Sequence, residues 1–156
     1  MHRSSVLTRR LAAALALLAL VISVAAPATL GAAKKKSHKV NVTVTAAVVQ
    51  SGGGTSTIAG VAKGTPIKGQ AATLYTLSGT GATQTAAFTV FDKRGSMSGT
   101  STATVTPAPN NTATVNGTGK ITSGTGAYKG ARGTLNVTGT VTSTTIQLTT
   151  TGTVKY

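Results

Sequence analysis

The sequence predicts an all-β protein: an eight-stranded antiparallel closed barrel of up-and-down, meander topology, preceded by a helical signal peptide. Three observations predict it. Apolar and polar residues alternate with a period of two, as where Val40, Val42, Val44, Ala46 and Val48 interleave with Asn41, Thr43, Thr45 and Ala47. Thr and Val dominate these runs, and β-branched side chains suit a pleated, half-buried surface. Clusters of Gly, Pro, Asn and Ser then cut the chain at the spacing of a sandwich or barrel.

In chain order, the first element is the leader. Arg3, Arg9 and Arg10 form a basic start, and Leu11 to Ala26 form an apolar run of Ala, Leu, Val and Ile. Small residues follow, so residues 1–33 read as a signal peptide with cleavage near 28 or 33. The rival reading is an uncleaved membrane anchor, but the run is short for a span of about 20 residues. The expected location is secreted, extracellular or periplasmic, and the Ala-rich leader suggests a bacterium. The chain has no cysteine, which excludes a lipid-anchored lipoprotein and any disulfide framework.

Residues 34–39 read as a basic flexible arm, with Lys34, Lys35, Lys36 and Lys39 around His38. The barrel domain is expected over 40–156, one domain by size. Its strands are expected near 39–50, 56–62, 67–77, 82–92, 95–106, 111–122, 130–142 and 145–155. Closure removes edges that would otherwise pair with other chains. Glycines inside these runs, such as Gly117, Gly119 and Gly139, weaken pairing but permit the sharp coiling of barrel corners. Inward Ala and Val are small, which leaves either a narrow cavity or a thin, filled core.

Charge is lopsided. Fifteen Lys and Arg face one acid, Asp92; loss of Arg3, Arg9 and Arg10 takes the net charge from +14 to +11. That sign attracts anionic partners, and the arm residues Lys34, Lys35, Lys36 and Lys39 point to an anionic cell-envelope polymer. Nucleic acid is not expected: after the leader only Tyr75, Phe88, Phe91, Tyr128 and Tyr156 are aromatic, too few for stacking platforms. The same scarcity argues against an outer-membrane barrel, which carries two aromatic girdles.

The most distinctive run is Ile121 to Gly133, which holds Gly124-Thr-Gly-Ala-Tyr-Lys-Gly-Ala-Arg-Gly133. It resembles the signature loop of the dirigent / allene oxide cyclase-like barrel family. Asp92-Lys-Arg-Gly-Ser-Met-Ser-Gly99 is similar to that family's hairpin into a Gly/Thr-rich strand. Asn116-Gly-Thr-Gly-Lys-Ile-Thr122 precedes the loop in the family's order. The resemblance, to a bacterial secreted member, implies a barrel that is often a homotrimer, with a pocket for a small hydrophobic or phenolic molecule. It implies no metal and no organic cofactor. Plant dirigent members steer the coupling of phenoxy radicals, and the cyclases close a ring in an unsaturated fatty-acid epoxide. Carried over residue by residue, it implies that Tyr128 and Arg132 bind ligand at the barrel rim.

The inventory of catalytic groups departs from that chemistry, which needs acidic side chains in the pocket. Asp92 is the one catalytic candidate, and it stands beside Lys93 and Arg94, whose charges would hold its pKa low. Its plainer role is a turn residue. A second acid is lacking for paired-carboxylate hydrolysis. His38 is the one histidine after the leader, and a metal site needs several such ligands. Tyr128 has a packing role as its alternative, and Arg132 an anchoring role on backbone carbonyls. The Thr-X-Thr repeats suggest an outward polar face, since twisted strands do not present a flat ice-binding lattice. The expected function is therefore a non-catalytic barrel that binds a small hydrophobic or phenolic molecule or is structural. The alternatives are a cofactor-free isomerase, cyclase or coupling-directing protein, and a basic envelope-binding module.

Overall fold

The computed structural model describes residues 35–79 and 81–156; the expected signal peptide and Lys34 lie outside the described residues. Eight strands follow one another: β1 (Ser37–Gly52), β2 (Thr55–Thr65), β3 (Gln70–Ser78), β4 (Thr83–Asp92), β5 (Gly95–Ala108), β6 (Thr112–Gly124), β7 (Arg132–Val141) and β8 (Ile146–Lys155). One 3-10 turn, Gly126–Tyr128, lies between β6 and β7. Each strand pairs antiparallel with the next, and β8 pairs with β1 to close the barrel. Ser37, His38 and Lys39 belong to β1 rather than to an arm, because β8 extends far enough to pair with them.

The register shows how the barrel closes. Lys39 lies opposite Thr153, and that row continues through Thr134, Lys120 and Thr100. It runs on through Ala87, Thr76 and Thr57 and meets β1 again at Gln50. One circuit therefore climbs from Lys39 to Gln50, with a bulge between Val48 and Gln50 absorbing part of the step. A stagger of that size requires steeply tilted strands, at roughly 35–45° to the axis, and an eight-stranded barrel so built can hold one small ligand.

Alternation sorts the faces as the sequence pattern predicts. Val40, Val42, Val44 and Ala46 point inward and are buried with Ile58, Phe88, Ile121 and Leu135. Outside, a continuous row runs Thr43, Thr149, Thr138, Asn116, Thr104 and Thr83 across six strands. That row puts hydroxyls and an amide where a lipid-facing barrel carries its apolar band. Tight coiling needs glycine at Gly117, where a Cβ would stand 2.6 Å from the Cα and Cβ of Ala103 across the ladder.

Hairpin connections alternate between two ends. One end carries the loops 53–54, 79–82, 109–111 and 142–145; the other carries 66–69, 93–94, 125–131 and both ends of the described chain. Asn110 and Asn111 both have positive φ, which makes the β5–β6 connection the tight turn that suits twisted strands.

Candidate functional site

One end of the barrel is closed by a polar cluster that the chain assembles from four places. Gly95 and Gly126 have positive φ, and this lets the β4–β5 hairpin and the β6–β7 loop pack backbone to backbone. A Cβ on Gly126 would strike the Arg94 carbonyl. Across that contact Ala127 N–H donates to the Arg94 carbonyl and Thr125 N–H to the Ser96 carbonyl, each at 2.9 Å. The docked loop carries Tyr128 inward until it is 1% exposed.

Tyr128 there meets Asp92 and Arg94. The Tyr128 hydroxyl donates to Asp92 Oδ2 at 2.5 Å and accepts from Arg94 Nη2. Arg94 N–H donates to Asp92 Oδ1 at 2.7 Å, which is the turn role expected of this aspartate. Arg94 Nη2 also donates to the Pro66 carbonyl at 2.6 Å and pairs with Asp92 Oδ2 at 3.4 Å. The Asp92 side chain is 1% exposed and that of Arg94 26%. Burial would raise the Asp92 carboxyl, but the bonds from Tyr128 and from the Arg94 and Lys68 backbone, with the Arg94 charge, hold it below its usual value. Burial and the Asp92 carboxylate push the Tyr128 phenol well above its ordinary value.

The chain ends join this cluster. Tyr156 packs edge-on against Tyr128 at 5.1 Å between ring centres, and His38 stacks on Tyr156 at 4.3 Å. Lys36 and Tyr156 exchange backbone hydrogen bonds of 3.1 and 3.3 Å. Ile67, expected at the start of a strand, instead sits in the β2–β3 loop and is buried against the core. It helps to plug this end.

Above the plug lies a cavity of about 110 Å³, walled by side chains such as Val42, Ile58, Phe88, Val115 and Leu135. The inward residues nearest the other end, among them Leu77, Ser101, Ala103 and Val115, are half-buried rather than buried. That end is the mouth. Among its lining residues only Ser101, Thr150 and Tyr75 carry a polar side-chain group. Burial pushes the Tyr75 phenol up to about 12, so it remains a neutral hydrogen-bond donor. The nearby Thr73 hydroxyl is buried and has no partner among the described residues.

The three residues singled out in the sequence end in different places. Asp92 and Tyr128 are brought together, beneath the cavity and outside its wall. Arg132 opens β7 and its Nη1 donates to the Ala131 carbonyl at 2.7 Å; it joins neither group. No three His, Asp or Glu side chains gather to hold a metal among the described residues. Sequence reasoning gave Arg94 only as a charge beside Asp92 and missed its bonds to Tyr128 and to the Pro66 carbonyl, which depend on loops folding onto its hairpin. It also missed Tyr75, whose inward register was visible only as one aromatic in an alternating run. Comparison with known protein families, curated proteins and solved structures finds no match to this chain.

Proposed function

We propose that this barrel binds a small, uncharged, hydrophobic or phenolic molecule and does no chemistry on it. The observation that carries this reading is the cavity: a hydrocarbon wall with three isolated hydroxyls and no charged side chain. Ligand sites are largely apolar, with a few polar groups that fix orientation. An apolar cavity of about 150 Å³ stays dry and takes benzene, so this slightly smaller one takes a single ring or a short alkyl tail. The rest of a longer ligand would project through the mouth. The Tyr75 phenol, donating to one acceptor, would set the ligand's orientation. The kinship with dirigent and allene oxide cyclase-like barrels is part of the same proposal and is supported by the strand order and by the loop of residues 124–133.

Non-catalytic binding is favoured because the one carboxylate side chain among the described residues is spent on Tyr128 and Arg94. Asp92 is held ionised by Tyr128 and Arg94, and a carboxylate so stabilised is a poor general acid. The test is a titration with toluene and phenol, followed by methyl NMR of the isoleucine, leucine and valine side chains. Shifts at Ile58, Val115 and Leu135, with phenol binding weakened in Tyr75→Phe and toluene unaffected, are expected. Shifts confined to outward residues such as Val61 would overturn the reading.

A further inference from the structure

A separate property of the molecule lies in where its charges sit. Residues 35–156 hold eleven Lys and Arg against the one carboxylate, Asp92, and Arg94 neutralises that carboxylate internally. Every one of these cations lies toward the closed end. Each connection there presents one: Lys68 between β2 and β3, Lys93 between β4 and β5, and Lys129 between β6 and β7. Lys36, Arg132 and Lys155 add theirs where the strands begin and end, all exposed. Lys63 and Lys120 stand on the flank, within the same half. The four connections at the mouth contain no Lys or Arg.

Such segregation does not follow from folding. A barrel is stabilised by its inner face, and scattering these lysines among outward positions would relieve their mutual repulsion. Two of these lysines are tied to the fold. Lys35 Nζ donates to the Gly130 carbonyl at 2.5 Å, and Lys36 is pinned to Tyr156 by two backbone bonds. Lys35 and Lys36 are therefore held at the rim rather than on a loose tail, which lowers the ordering entropy lost on binding.

We infer that the closed end is a docking surface for a linear, phosphate-bearing polymer that carries no bases. Lysine dominates the rim, and an ammonium engages phosphate as a point charge without demanding planar, two-pronged geometry. The large exposed hydrophobic side chains, Val48, Val49, Val61, Leu74 and Phe91, all lie on strands and none on a connection; Phe91 alone borders a turn at this end, too little apolar surface to anchor the rim in a membrane. Tyr128 and Tyr156 are engaged with each other, and the exposed Phe91 beside the 93–94 turn is a lone ring, short of the successive platforms on which nucleobases stack. Docking by this end points the mouth away from the polymer, so a tethered barrel still exchanges its apolar ligand with the surroundings. This inference stands independently of what the cavity holds.

The experiment measures binding of the purified chain to long-chain inorganic polyphosphate, single-stranded DNA and vesicles containing phosphatidylglycerol, over a range of salt. Polyphosphate binding is expected to weaken steeply and log-linearly as salt rises, through release of condensed counterions. The combined variant Lys68→Gln/Lys93→Gln/Lys129→Gln is expected to lose about tenfold or more in affinity near 0.1 M salt, where charges are screened beyond about 10 Å. The flank variant Lys63→Gln/Lys120→Gln is expected to lose clearly less. The toluene shifts at Ile58 verify that each variant is folded with its interior intact, and unfolding curves do so if no toluene binds. Unchanged polyphosphate affinity in the rim variant overturns the inference, as does tighter binding per charge to DNA. Retention by vesicles without retention by polyphosphate overturns it too.

Discussion

The two ends of this barrel are built from different materials. At the closed end, four stretches of chain distant in sequence meet around one buried carboxylate, and backbone, phenol and guanidinium all satisfy it. At the mouth, the side-chain bonds of the connections are local, and the long-range tie is one backbone bond from Val105 N–H to the Ala82 carbonyl at 2.7 Å. The Thr142 hydroxyl accepts from Thr145 N–H at 3.0 Å and donates to the Thr145 carbonyl at 3.2 Å, both exposed and three residues apart. The Thr112 hydroxyl donates to the Pro109 carbonyl in the same manner. The lesson is that only one end is tied together by long-range side-chain bonds. The other is a set of turns around an opening, held mainly by their own local bonds.

The strongest way to break that contrast is Asp92→Ala. Removing one partner of a buried, hydrogen-bonded charge group leaves Arg94 and Tyr128 without their acceptor. A loss of about 3 kcal/mol in denaturant unfolding is expected. A loss below about 0.5 kcal/mol, the range of ordinary surface changes, would mean that the cluster is not what holds this end. The same residue sets the acid response. Its folded pKa is lowered, so its contribution is present above the unfolded value of about 3.9 and is lost as pH falls toward the folded one. Asp92→Ala is expected to flatten that part of the acid-unfolding profile.

Alkali probes the interior instead. Tyr75 is raised to about 12 in the fold against about 10 unfolded, so the neutral phenol is favoured. Stability from this residue is complete below pH 10 and is lost as pH climbs through 12, by about 2–3 kcal/mol. Tyr128 and Tyr156 are raised as well. Comparing alkaline unfolding of Tyr75→Phe and Tyr128→Phe separates the cavity's share from the plug's. If neither variant alters the profile, the burial of both phenols is wrongly placed.

The smallest effect is expected at the mouth. Thr142→Ala removes an exposed, local capping hydroxyl and should cost no more than about 1 kcal/mol. A thermal-unfolding loss approaching that of Asp92→Ala would erase the distinction between the two ends.

Much of this architecture was legible in the residues. The period-two runs and their turn clusters marked all eight strands, because a pleated strand sends alternate side chains to opposite faces and only one face can be dry. The start of β3 was misplaced, since Ile67 looks like the first apolar residue of a strand whereas it is a plug in the preceding loop. The loop of residues 124–133 stood out as a built feature, and the tie between Asp92 and Arg94 was read from their adjacency. That Tyr128 belongs to the same cluster was not visible, for it lies thirty-six residues from Asp92.

The sequence by itself determined the strands, their order, the inward face and the excess of positive charge, because these follow from local periodicity and composition. Tertiary structure alone decided where the charges gather, which end is sealed and that a cavity survives. Those depend on the stagger of the closed sheet, which brings residues together by height around the barrel and not by distance along the chain.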